Sequence, residues 1–300
     1  MKTLLQGNNP VLIGVGFAVL QSIMFAFMAL FVKLATEIHH PVEAMFFRSF
    51  ICLILCAITL RGIGKLYMVK SANLRNQMIR GVVGSVGMVL TFFAVKMLPL
   101  SEIQSLLFAA PIFVVLLSYP LLKEKVGAYR IAAAIAGFCG ILLIVQPGAI
   151  SSFAGGMVGI AAAFFHALIM IILRWLGKSE EPFVTVFYFS LISSALALPA
   201  LPFFFTMPDL YSFGLLLMIG VCAFALQICL TKSYTYADAT VIAPITYLNM
   251  IWALSLDFFV WGFVPGYMVG LGAAIIIISN FVIIMRESKK KKRLSPEVSS

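Results

Sequence analysis

The sequence predicts an all-α integral membrane protein: ten transmembrane helices arranged as two inverted five-helix repeats. Three observations predict it. Hydrophobic residues make up 62% of the 300-residue chain and charged residues 11%, with a mean hydropathy of +1.09, whereas roughly a quarter of the residues of a soluble domain are charged. Ten apolar runs recur, most near the ~20 residues that a spanning helix needs, and the short alternating segments of a membrane barrel are absent. The two halves of the chain also resemble each other at a fixed offset. Spans of this number leave short loops and no room for a soluble domain.

The first run, 11–32, follows Met1-Lys2 and Asn8-Asn9-Pro10. It is too long for a signal-peptide core and has no nearby small-residue cleavage site, so it reads as a retained helix. His39-His40-Pro41 marks a turn before the second run, 43–60, and the basic stretch 61–80 leads into the third, 79–98. Leu98-Pro99-Leu100-Ser101 separates the third run from the fourth, 102–122, and the fifth, 129–146, stops at Gln146-Pro147-Gly148. The sixth run is 156–175; Glu180-Glu181-Pro182 precedes the seventh, 183–204, and Met207-Pro208-Asp209 the eighth, 211–231. The ninth, 239–261, ends before Val264-Pro265-Gly266, and the tenth is 267–285. Proline and glycine punctuate these boundaries because they end helices and favour turns. Small residues in three runs (Gly81, Gly84 and Gly87; Gly137 and Gly140; Gly266, Gly270 and Ala274) mark close-packing faces, within the chain or in a homodimer. Cys52, Cys56, Cys139, Cys222 and Cys229 all fall inside apolar runs at no metal-ligand spacing, so each reads as a core residue.

Basic residues set the orientation, because cytoplasmic loops near helix ends carry the excess. With a cytoplasmic N-terminus, eighteen of the 21 Lys and Arg face the cytoplasm and only Lys33, Arg48 and Lys96 lie outward. Both termini are then cytoplasmic. The run 289–293 is a topology anchor on anionic headgroups of the lipid bilayer, not a nucleic-acid patch, and the formal charge of +10 restates the orientation rule.

Internal repetition divides the chain. One offset aligns Gly14 with Gly155, Lys33 with Arg174 and Pro41 with Pro182, and Lys96–Tyr129 resembles Lys232–Tyr267 once small gaps are allowed. The units are 1–148 and 149–293, with 294–300 as a cytoplasmic tail. Five helices is an odd number, so the second unit sits upside down relative to the first. Inverted repeats characterise secondary transporters, which hold substrate between the halves near the bilayer midplane.

Several stretches carry a resemblance. Residues Asp238-Ala239-Thr240-Val241-Ile242-Ala243-Pro244-Ile245-Thr246-Tyr247-Leu248, then Phe259-Val260-Trp261-Gly262-Phe263-Val264-Pro265-Gly266, the Gly270–Ile277 run and Arg286-Glu287 resemble the closing signature of the EamA-type drug/metabolite transporter superfamily. In the first half, Pro41 with Phe46-Phe47-Arg48, Ala110-Pro111-Ile112-Phe113 and Leu121-Leu122-Lys123-Glu124-Lys125 are similar to it too. The resemblance covers nearly the whole chain and implies a ten-helix carrier. The chain departs from the family at Gly262-Phe263, where the second copy has Gly-Glu; Glu124 of the first copy lies at a cytoplasmic helix end between Lys123 and Lys125, so both positions read as structural. The Asp-Ala-Thr…Ala-Pro…Tyr pattern resembles the branch of S-adenosylmethionine and riboflavin carriers, and implies such a substrate.

Polar groups within lipid are costly and face the protein interior. His166 shares a helical stripe with Gly159, Ala163, Ala167 and Met170, and the repeat offset sets it opposite Phe25, whose face carries Gly14, Ala18, Gln21 and Ala29. Gln21, Phe25 and His166 would line a central cavity; a hydrogen-bonded packing role for His166 is an equal reading. Arg48 binds an anionic substrate group, snorkels to headgroups or, the favoured reading, pairs with Glu43 or Glu102. Glu102 and Asp257, toward the external face, couple an ion or attract a cation, or, more simply, are solvated at the interface. Pro111 and Pro244 free backbone carbonyls in the fourth and ninth runs, near Gln104, Phe108, Tyr119, Tyr247, Asn249 and Trp252. Rings and amides suit a flat heteroaromatic or methylated cation, and the lack of a second buried arginine disfavours highly anionic substrates.

These readings converge on a secondary carrier in the cell inner membrane that moves a small organic metabolite by alternating access, S-adenosylmethionine uptake foremost. Export of amino acids or other metabolites is the alternative; a non-transporting scaffold or membrane enzyme is the alternative of another class. Convergent catalytic groups and a phosphate-cradling Gly-rich Lys-Ser/Thr motif are missing, and no cofactor or metal is expected. Both termini are expected inside: an impermeant label applied to intact cells should leave tags at either end unmodified, and labelling of one would overturn the helix count.

Overall fold

Backbone polar groups that meet lipid must find partners within their own segment, and among the described residues the apolar runs are predominantly helical. The computed structural model describes residues 10–62, 73–122, 128–145, 148–176, 182–236 and 242–294. In order these form α1 Pro10–Ile38, α2 Pro41–Gly62, α3 Leu74–Met97, α4 Leu100–Leu107, α5 Ala110–Leu122, α6 Ala128–Val145, α7 Phe153–Leu176, α8 Pro182–Ala197, α9 Leu201–Phe204, α10 Leu210–Tyr236, α11 Leu248–Trp261 and α12 Tyr267–Leu294, with 3₁₀ turns at Leu198–Ala200 and Ala243–Tyr247. Among the described residues, seven helical segments are long and apolar enough to cross a membrane, and Ile131–Val145, Ile245–Trp261 and Tyr267–Val282 are shorter apolar helices. The chain is therefore a helical, multi-pass membrane protein.

The runs differ from simple spans in three places. The fourth breaks at Phe108-Ala109 into α4 and α5. Pro111 has no N–H to donate, and Ile112 N bonds to Ala109 O at 3.0 Å, which leaves the Phe108 carbonyl to a side chain: Asn280 Nδ2 donates to it at 2.7 Å. The seventh run ends in a 3₁₀ turn and the single turn α9, and the ninth opens with the 3₁₀ turn at Ala243–Tyr247. Asp238–Val241 lie outside the described residues, as do Glu124 and half of the basic stretch, 63–72.

Helices of the first half pack on helices of the second: α1 on α10, α3 on α7 and α8, α2 on α8 and α10, α4 on α11, and α6 on α12. Without a solvent-driven force between spans, close van der Waals contact holds them, and the glycines supply it. A β-carbon at Gly81 would collide with Ile192, at Gly84 it would lie 2.7 Å from Phe189, and at Gly137 it would collide with Ile112. On α12 the contact falls elsewhere than expected. Gly270 meets nothing within 4 Å, whereas Gly272 and Gly140 face each other so closely that a β-carbon on Gly272 would lie 2.6 Å from the Gly140 carbonyl oxygen. Gly262, with φ of 63°, ends α11 in the left-handed conformation that only glycine adopts freely, the position at which the second-copy Glu motif is missing. Cys139 is the exception among the cysteines: it is exposed on α6 and the other four are buried.

The turn between α1 and α2 is built from the paired histidines. His39 is buried, its Nδ1 3.0 Å from Glu43 Oε2, and His40 stacks on Phe204 at 4.0 Å. Burial first, and Lys96 second, hold the His40 imidazole below its ordinary pKa.

Backbone cannot yield as a side chain does, so Gly272→Ala should lower unfolding stability in mixed micelles by about 2 kcal/mol. Gly270→Ala on the same helix should change it by less than about 0.5 kcal/mol. Equal effects would show that the α6–α12 contact is not tight.

Candidate functional site

Helices α1, α3, α4 and α11 line a cleft that is partly open to the surroundings. Its wall is mostly apolar: Met28, Ala29 and Val32 from α1, Phe92 and Val95 from α3, Ile103 and Leu107 from α4, and Ala253 and Leu256 from α11. The polar contributions are few: Thr91, Gln104 and Asn249. An apolar pocket with a handful of placed polar groups is the usual form of a small-molecule site.

Of the residues singled out from sequence, Phe25, Gln104 and Asn249 line this cleft. Asn249 is 9% exposed, and its Oδ1 is buried without a hydrogen-bond partner. Buried polar atoms are nearly always partnered, so this acceptor is free for a ligand donor. Gln21 is buried one turn before Phe25 on α1. Trp252 ties α11 to α1, its Nε1 donating to Ser22 Oγ at 3.1 Å. His166 stands behind the wall: its Nε2 is 3.2 Å from Oγ1 of Thr91, which itself lines the cleft. Phe108 and Tyr247 meet edge to face at 5.1 Å, joining the break after α4 to the 3₁₀ turn before α11. Asn280, which secures that break, was not singled out, although an amide in the tenth run was the available signal.

One end of the cleft is sealed by groups expected to be solvated. Asp257 is 1% exposed and Glu102 is 1% exposed. Asp257 accepts from Leu100 N at 2.9 Å, from Ser101 N at 2.7 Å and from the Ser101 hydroxyl. Glu102 accepts from Ser151 N at 3.1 Å and from Ser151 Oγ at 2.8 Å. For Asp257 the donors explain the burial: the first N–H groups of a helix have no partner within it and draw carboxylates to them. Lys33 answers the opposite need, its Nζ donating to Val95 O at 2.8 Å and Leu98 O at 2.6 Å at the C-terminal end of α3. Asp257 thus joins the second half to the first, and Glu102 the first to the second.

Arg48 forms neither expected ion pair. Glu43 faces His39 and Glu102 is committed to Ser151, while Arg48, 6% exposed, has its guanidinium carbon 5.3 Å from the Phe189 ring centroid. Arg80, which the orientation rule assigned to the cytoplasmic side, reaches the same ring at 4.8 Å. A second, half-buried arginine therefore turns into the bundle, and the sequence-level ground for disfavouring anionic substrates is weakened.

Comparison with known proteins agrees with the membrane fold. The model of the EamA-like transporter family matches residues 12–146 and again 153–285. A pseudopaline exporter of Pseudomonas aeruginosa is 29% identical over 279 residues, covering 92% of this chain and 97% of that protein. A riboflavin transporter of Vibrio cholerae is 32% identical over 200 residues, 65% of this chain and 66% of its own. An S-adenosylmethionine uptake transporter of Rickettsia bellii is 25% identical over 250 residues, 83% and 86% of the two chains.

Removing the carboxylate from Asp257 strands three donors at a buried helix start. Asp257→Ala should lower unfolding stability by about 2–3 kcal/mol, whereas Ser255→Ala on the exposed face of α11 should leave it within about 0.5 kcal/mol. Denaturation in mixed micelles measures both, and an unchanged Asp257→Ala would show that Asp257 carries no part of the seal.

Proposed function

The chain belongs to the EamA-like transporter family, and from that premise we propose that it is a secondary carrier in which two five-helix halves, 1–148 and 149–293, rock about the cleft between α1, α3, α4 and α11. It is a membrane transporter of small metabolites and not an enzyme, as the family and the named relatives are transporters. The observation that carries the proposed site is Asn249, whose buried Oδ1 lacks a partner in the cleft wall, with Gln104 and Phe25 beside it. The seal made by Asp257, Glu102 and Lys33 supports alternating access: it binds half to half at one end, so opening there means exchanging these contacts together. In this reading the ten helices form inverted repeats in the inner membrane with both termini cytoplasmic.

The substrate proposed first is S-adenosylmethionine, taken up by exchange or down its gradient. The Rickettsia relative is named for that uptake, and rings such as Phe25 and Phe92 with the Gln104 and Asn249 amides suit a heteroaromatic bearing a cation. The pseudopaline exporter supports export of another metabolite as the second reading.

Counterflow in proteoliposomes tests both, with S-adenosylmethionine, riboflavin, amino acids and a sugar phosphate as the panel. S-adenosylmethionine should accelerate exchange. His166→Ala and Asn249→Leu should each slow it about tenfold, or roughly 1.4 kcal/mol of barrier, at unchanged folded yield. Exchange of the sugar phosphate alone would overturn the substrate, and exchange of nothing would overturn the carrier.

A further inference from the structure

Helices α2, α3 and α8 meet around Phe189, and two arginines lie there with no acid among the described residues to answer them. The guanidinium carbons of Arg48 and Arg80 stand 5.3 and 4.8 Å from one ring centroid. An aromatic face attracts a cation, but one ring does not offset the mutual repulsion of two. Arg80 Nη1 donates to the Thr185 carbonyl at 3.3 Å. Its Nε, and Nε and Nη1 of Arg48, are buried without a partner. Among the described residues neither arginine is in an ion pair.

The surroundings are polar in the same unfinished way. Ser49 Oγ, adjacent in sequence to Arg48, and Ser190 Oγ, adjacent to Phe189, are buried and unpartnered. So is Gln77 Oε1, while the Nε2 of that amide donates to Thr185 Oγ1 at 3.2 Å. Turned over, the amide accepts from the Thr185 hydroxyl and presents a free donor instead. Guanidinium and hydroxyl donors with no acceptor are the chemistry that recognises a planar or tetrahedral oxyanion.

We propose that Arg48 and Arg80 form a binding site for an oxyanion of the transported metabolite, a carboxylate or phosphate, with Gln77 as an accessory donor. The proposal rests on the carrier reading and deepens its substrate class. A carboxylate-bearing molecule such as S-adenosylmethionine or an amino acid qualifies; riboflavin does not. Arg80 lies about three turns before Thr91 on α3, away from the Asp257 seal, so the cleft and the arginine pair occupy successive stretches of that helix. The site also joins the halves, since Arg48 and Arg80 come from the first and Phe189 from the second. A bound oxyanion would neutralise the repulsion and draw α2 and α3 onto α8, which makes occupancy a determinant of how the halves sit.

Calorimetric titration of the full chain in phosphatidylcholine nanodiscs tests this, with citrate and inorganic phosphate as probes against chloride of equal ionic strength. At least one probe should bind saturably, and Arg48→Gln and Arg80→Gln should each weaken it tenfold or more. Arg75→Gln, which removes an exposed charge from the same helix, should not. Wild-type protein that binds neither probe overturns the proposal whatever the folded yield of the variants, and so does an equal loss in Arg75→Gln. Loss of the titration in nanodiscs containing phosphatidylglycerol would make the occupant a lipid headgroup and overturn it as well. The two readings fail separately: counterflow of some metabolite without oxyanion binding leaves the carrier standing and removes this site, and oxyanion binding without counterflow does the reverse.

Discussion

The carboxylate of Asp257 on the start of α4 is the contact from which much of the arrangement follows. A helix that begins inside an apolar bundle exposes N–H groups that water cannot reach, and α4 is only eight residues long, too short to hold itself in place. Asp257 takes two of those donors and the Ser101 hydroxyl. With α4 fixed, Gln104 and Leu107 are held at the cleft wall, and Glu102 is positioned to receive Ser151 just before α7. From α7, His166 reaches Thr91. A single acid from the second half therefore orders a helix of the first, which in turn orders the entry to a helix of the second.

Helix positions were readable because lipid imposes one rule on every span, and the apolar runs with their proline and glycine boundaries follow it. The repeat was readable too, since Gly14 with Gly155 and Pro41 with Pro182 keep one spacing, and the family match starts in both halves at the same spacing. The break after α4 was only half readable. Pro111 announces a lost hydrogen bond, but where the helix parts depends on Asn280, 172 residues away from Phe108. Pairing over such a distance leaves no trace in local pattern.

The cleft shows the same division. Phe25, Gln104 and Asn249 stood out as rings and amides in apolar runs and do line it. The acids and arginines were misread because their surroundings, not their own chemistry, decide their state. Asp257 and Glu102 looked like interface residues, yet backbone and hydroxyl donors from the other half bury them. Arg80 was counted with a basic loop, yet it sits far enough along α3 to turn inward onto Phe189. Cavity depth and helix rotation are set by neighbours, so counting charges by segment does not separate a membrane's surface from its interior.

Where Gly140 and Gly272 face each other, α6 and α12 touch peptide to peptide with no layer of side chains between them. Rotamer changes can lubricate sliding between most helices, but two bare backbones have nothing to rearrange. In the carrier proposed above, these two helices, one from each half, would act as a common keel, and the rocking of the halves would be taken up by the helices around the cleft, least near the keel and most at the cleft's far wall.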